Sequence, residues 1–84
     1  MEEVIGKVVH FFDKISVVTI SLTAGLRLGE KLRFLNEKAG SDFTQSVDSL
    51  QMEHKNLSEA KAGQEVCLKV ERPVKEGTLV YKVS

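Results

Sequence analysis

The feature that most constrains this chain is a hydrophobic period of two, punctuated by turn residues roughly every 8–12 positions. Between Glu65 and Glu71 the alternation is complete: Val66, Leu68 and Val70 point one way, and Glu65, Cys67, Lys69 and Glu71 the other. Such a stretch builds a half-buried strand and cannot line one face of a helix. Val4 to Phe12, rich in β-branched and aromatic residues, reads as a first strand, with Gly6 hinting at a bulge or a close backbone approach. Asp13-Lys14 marks a hairpin tip, and Ile15 to Leu22 a second strand with Val18, Ile20 and Leu22 inward.

Leu26-Arg27-Leu28 is a short extended piece expected to bury both leucines, followed by a turn at Gly29-Glu30. Lys31 to Leu35 is a strand with Leu32 and Phe34 inward, and residues 36–41 form a polar surface loop. The next strand is expected from Asp42 to Met52, with one bulge moving its inward set from Phe43 and Val47 to Leu50 and Met52. Ser58 to Gly63 is the only helix-like piece, one turn capped by Ser58 and ended by Gly63. Arg72-Pro73 ends the alternating strand, Lys75-Glu76-Gly77 forms a turn, and Thr78 to Val83 is the last strand, with Leu79, Tyr81 and Val83 inward. The expected fold is all-β: a small closed antiparallel β-barrel of about six strands with one short helical turn, closure removing exposed edges. All of residues 1–84 belong to this single domain, and the leading Met1 suggests a whole natural chain.

Eighty-four residues bury only roughly 60–65% of the unfolded surface, so one core must suffice. Twelve basic and twelve acidic residues cancel, which argues against a strongly basic nucleic-acid arm or an acidic tail. The single cysteine, Cys67, forms no internal disulfide, and the acidic N-terminus lacks the basic start of a secretory signal; a cytoplasmic protein is expected. The longest apolar run falls far short of about 20 residues, so no membrane partner is expected.

Three segments resemble one family. Leu26-Arg27-Leu28-Gly29-Glu30-Lys31-Leu32-Arg33 is similar to the "lkvGDkv-i" turn and strand of the β-barrel second domain of translational GTPases, the elongation factor Tu and initiation factor domain 2 type. Ala60-Lys61-Ala62-Gly63-Gln64-Glu65-Val66 resembles that family's "A-aGd-V" turn, and Ile5-Gly6-Lys7-Val8-Val9 its opening "iG-V" strand. The pieces occur in the family's order, from about Val4 to Val83. The resemblance implies a stand-alone translation-factor-like barrel whose partner is RNA or the ribosome; similar barrels also occur as accessory segments on larger enzymes.

No GTP is expected, because the nearest Walker A look-alike, Gly25 to Lys31, has the wrong spacing and no following Ser or Thr. Hydrolase elbow, zincin helix and paired-cysteine motifs are missing, so the chain is read as no enzyme. His10, His54 and Cys67 lack metal-site spacing, and no metal or cofactor is expected. Two surfaces remain as binding candidates. Arg27, Lys31 and Arg33 cluster around the Gly29 turn and suit phosphate contact in RNA. Phe11 and Phe12 sit beside a hairpin tip, where alternation leaves one exposed as an anchor for a protein partner, with His54 and Lys55 expected nearby. The preferred expectation is a non-catalytic RNA- or ribonucleoprotein-binding barrel, with a protein-interaction adaptor as the alternative.

Overall fold

A computed structural model describes residues 2–53 and 55–83. The strands are β1 (Glu2–Phe12), β2 (Val17–Leu22), β3 (Leu26–Arg27), β4 (Lys31–Asn36), β5 (Ser41–Ser46), β6 (Gln51–Met52), β7 (Lys55–Asn56), β8 (Glu59–Ala60), β9 (Glu65–Lys69) and β10 (Leu79–Val83). Eight form an antiparallel sheet in the order β5-β4-β10-β1-β2-β9-β6-β7, and β3 pairs with β8 in a small second sheet.

Chain connectivity forces the large sheet to curl. From β5 to β6 there are six interstrand steps in the sheet order, which in a flat sheet would span about 29 Å. The chain makes that passage between Ser46 and Gln51, a stretch that reaches at most about 18 Å. The two ends of the sheet must therefore approach each other. They do so around an interior filled by Ile5, Val8, Val18, Ile20, Leu32, Phe34, Val66 and Val80, all at most 1% exposed. Burying each such side chain is worth about 1.5–3 kcal/mol against leaving it in water. Val47 and Leu50 plug the passage itself, and the β3–β8 pair adds Leu26 and Ala60 to the same core.

The expected closure is corrected: no ladder joins β5 to β9 or β6 among the described residues, so the sheet is curled but not a closed barrel. Side chains span the seam instead. Gln45, 8% exposed on β5, donates from Nε2 to the carbonyl of Lys69 at 2.9 Å. Its Oε1 accepts from the Glu71 N–H, also at 2.9 Å. Further along, the Arg72 guanidinium lies 5.8 Å from the centre of the Phe43 ring, which in turn stacks on Phe34.

β1 holds two register shifts, one between Val4 and Gly6 and one between Val8 and His10. At the first, Ile5 takes an interior place and Gly6 follows it inward, paired with Val80 and Leu22. A Cβ on Gly6 would lie 2.7 Å from Ile20 Cγ2 and 2.7 Å from the Ser21 carbonyl. The bulge and the close approach expected at this glycine are both present. The second shift sends Val9 outward and returns Phe11 to the core side.

Four further expectations are corrected. The strand expected from Asp42 to Met52 stops at Ser46, because the chain must leave one end of the sheet to reach the other. No helical turn forms at 58–63: Glu59 and Ala60 are extended against Arg27 and Leu26, and Gly63 at φ 88° serves a β-turn closed by Gln64 N–H to Lys61 O. Leu28 is 43% exposed, since only Leu26 of that segment faces the core. On β10 the parity is the reverse of that expected: Val80 is fully buried and Thr78 1% exposed, while Leu79 is 38% exposed. Thr78 tolerates the interior because its hydroxyl donates to Lys75 O and accepts from Asn36 Nδ2.

Candidate functional site

The reversed parity of β10 gives the outer sheet face an apolar floor. Leu79 pairs with Leu35 on β4 and with Lys7 on β1, so these three residues form one row across three strands. Tyr81, half-buried, lies on the same face one step along, opposite Val4 and Arg33. Two turns rise beside this row: residues 37–40, which follow Asn36 at the end of β4, and residues 75–77 before β10. Together they enclose an open trough of about 610 Å³ lined also by Glu37, Lys38, Ala39, Lys75 and Glu76. That volume lies in the range of ligand-binding concavities, roughly 300–1,000 Å³.

Both rims are fixed by hydrogen bonds. Asn36 is the link between them. Its Oδ1 accepts from the Ala39 N–H at 3.1 Å, holding the first turn, and its Nδ2 donates to Thr78 Oγ1 at 3.1 Å. Thr78 passes the connection on by donating to the Lys75 carbonyl at 2.6 Å. The second turn is also pinned to β1, by Gly77 N–H to Val8 O and Val8 N–H to Thr78 O, each 2.8 Å. Glu76 turns one carboxylate oxygen to His10 Nδ1 at 3.2 Å. Lys7, Lys38 and Lys75 are exposed and have no ion-pair partner among the described residues.

The basic residues around Gly29 are placed differently. Arg33 forks onto Asp42 across the β4–β5 pair, Nε to Oδ1 at 2.7 Å and Nη2 to Oδ2 at 2.6 Å. Those bonds, and with them the Arg33 charge, hold the Asp42 carboxyl below the ordinary carboxylate range. Arg27, on the small sheet, lies 3.4 Å from Glu59. Lys31 is exposed on β4, two residues from Arg33 on the same face. A second concavity of about 470 Å³ near Arg27 contains Arg27–Glu59 and the 3.1 Å Lys82–Glu30 pair, so four of its charges satisfy one another.

At the hairpin tip, Phe11 packs against the core while Phe12 is 43% exposed and meets His10 edge-on, ring centres 4.3 Å apart. Val9 and Ile15 are also exposed there. Lys55 does not join this tip: β7 lies beyond β2, β9 and β6 from β1. His54 lies outside the described residues. His10 and Cys67 stand on β1 and β9 with β2 between them, about 10 Å apart by strand spacing and too far to share a metal ion. Cys67 is half-buried with its Sγ 3.5 Å from Thr19 Oγ1. Among the described residues, no three His, Cys, Asp or Glu side chains group closely enough to hold a metal, and no helix is long and apolar enough to cross a membrane.

Comparison with known proteins corrects the translation-factor resemblance. No protein-family model matches the chain. An uncharacterized protease of Methanocaldococcus jannaschii is 36% identical over 77 residues, covering 92% of this chain. The chain spans only 19% of that relative's length. Two crystal structures of the C-terminal domain of a Geobacillus thermoleovorans protein designated a U32 peptidase share the fold. One superposes with a TM-score of 0.90, covering 98% of this chain and 93% of that one, at 24% identity. The selenomethionine form gives 0.86, covering 93% and 96%, also at 24% identity.

The fold is thus that of this C-terminal domain, and the elongation-factor, domain 2 and RNA-contact expectations give way with the resemblance. Its three segments are strand-and-turn pieces built on turn glycines, Gly29 at φ 86° and Gly63 at φ 88°. A curled antiparallel sheet of any lineage needs such pieces. The expectation that the chain is no enzyme now stands beside a relative named a protease, of which it matches a minor part. The trough was missed in the sequence because its floor was assigned to the interior. Asn36, opening the polar loop, and Thr78, flanking a Lys-Glu-Gly turn, were its only signals.

Proposed function

We propose that this chain is an accessory β-domain of a protease-family protein, one that binds polypeptide and does not itself cut it. The observation that supports this reading is the match of nearly the whole chain, 92%, to a fifth-sized part of a relative named a protease. A part of that size leaves about four-fifths of the relative to hold its chemistry. The shared fold with a C-terminal peptidase domain supports the same division of labour.

The site chemistry is consistent with binding. Cys67 has a threonine hydroxyl beside it and His10 is two strands away, so among the described residues no histidine stands beside the thiol as a base. The fixed rims and apolar floor of the trough suit recognition without any nucleophile.

Three forms of the Methanocaldococcus relative test the proposal: the intact protein, a deletion of the matching segment, and a chimaera carrying this chain in its place. The deletion is expected to lose binding of unfolded casein and the chimaera to regain it, while the 84-residue chain alone hydrolyses no peptide. Peptide hydrolysis by the isolated chain, or a deletion that binds casein as its parent does, overturns the reading.

A further inference from the structure

We infer that the trough beside β10 binds an extended acidic polypeptide, seating apolar side chains on Leu79, Leu35 and Tyr81 and carboxylates against Lys7, Lys38 and Lys75. The inference rests on the accessory-domain reading and names the ligand class of the same site. Its ground is charge complementarity on a prebuilt frame. Three lysines without ion-pair partners among the described residues surround the floor, one from the sheet and one from each rim. Against them stand Glu37 and Glu76, and the Glu76 carboxylate is directed to His10. The lining therefore keeps a net excess of one positive charge, three lysines against two glutamates. The second concavity pairs Arg27 with Glu59 and Lys82 with Glu30, and its remaining Lys61 and Glu3 balance in charge, so it carries no positive excess.

The open shape leaves room for an extended chain to cross the sheet face. The concavity is an open trough along a sheet face, and no wall closes it into a cavity. An extended peptide turns successive side chains to opposite sides, so alternating acidic and apolar residues present one set to the floor and the other toward the rims. The Asn36–Thr78 link holds the rims in place before binding, which lowers the ordering cost that a mobile loop pair would impose.

The test uses the 84-residue chain and a fluorescein-labelled ten-residue peptide alternating Glu and Leu, followed by anisotropy. Saturable binding is expected, weakening about tenfold or more in the Lys38→Glu/Lys75→Glu double variant. Added salt weakens it as well. A peptide alternating Glu and Ser, and the Leu79→Ser variant, each test the floor and are expected to bind more weakly. Lys14→Glu/Lys55→Glu, the same four-unit change outside the trough lining, controls for net charge and is expected to bind as wild type does, and thermal melts confirm that each variant is folded. No binding of the Glu/Leu peptide, equal binding by the double variant, or equal displacement by inorganic polyphosphate overturns the inference. If casein binding is restored by the chimaera with Lys38 and Lys75 reversed, the trough is wrong and the accessory role survives. If the chimaera fails while the peptide binds in the trough, the accessory role falls and the site stands.

Discussion

The side-chain amide of Gln45 faces the backbone of Lys69 as a strand neighbour would, giving Nε2–H to the Lys69 carbonyl at 2.9 Å while its Oε1 accepts the Glu71 N–H at 2.9 Å. One primary amide thereby supplies the donor and the acceptor that a paired peptide would offer. It does so at the seam where β5 and the end of β9 approach without a ladder. Replacing it leaves two buried-edge backbone groups without partners. Gln45→Leu is expected to destabilise the fold by about 2–3 kcal/mol, read from urea unfolding midpoints at constant slope. Faster hydrogen exchange should appear first at the Glu71 amide, and unchanged protection there would refute the seam role.

Gly6 poses a steric case. The alanine methyl in Gly6→Ala would meet Ile20 Cγ2 and the Ser21 carbonyl, each at 2.7 Å. We expect a loss of about 1–3 kcal/mol. Because the Ser21 oxygen is backbone, adding Ile20→Ala should not restore the parent stability. Recovery in the double variant would show that only the isoleucine side chain is in conflict.

The Arg33–Asp42 pair makes a pH prediction whose sign follows from the direction of the Asp42 shift. A carboxyl held below its ordinary value in the folded state binds protons less readily there than in the unfolded chain. Its stabilising contribution is present above the unfolded carboxylate range and is lost as pH falls through the depressed folded value. Thermal melts between pH 7 and pH 2 should show Asp42→Asn with a shallower acid decline than wild type. Parallel curves for the two proteins would remove Asp42 from the acid response.

Asn36 ties the two rims of the trough together. Asn36→Ala removes the donor to Thr78 Oγ1 and the acceptor for the Ala39 N–H. A cost of about 1–2 kcal/mol is expected from one part-buried and one exposed hydrogen bond. Exchange at Ala39 should quicken, with Gln45 and the far seam unaffected. A variant whose 36–39 amides exchange as in wild type would show that the turn stands without its asparagine.

Much of the fold was legible in the residues themselves. The inward sets of β2, β4 and β9 follow from strict alternation, since a strand has only two faces and the apolar side must be the dry one. Gly6 announced its bulge because a glycine in a β-branched strand has a steric reason to be there. The candidate site was not legible. In Thr78-Leu79-Val80-Tyr81-Lys82-Val83 the larger apolar residues make the more hydrophobic set, yet the structure buries Val80 and Thr78. Arg27, Lys31 and Arg33 are close in sequence, but charge partners distant in sequence, Asp42 and Glu59, engage two of them.

The sequence alone determined that the chain is built chiefly of strands and turns, roughly where β2, β4 and β9 run, and which face of those strands is apolar. These are local properties, set by a two-residue period and by backbone freedom at a few glycines. Only the tertiary structure decided that the sheet curls without closing, that Gln45 bridges its seam, and that Leu79 and Tyr81 lie outside. Those outcomes depend on a four-residue passage between distant strands and on hydrogen bonds that Thr78 accepts from Asn36 and Val8, far away in the chain. Interactions at such separations leave no period in the sequence to read.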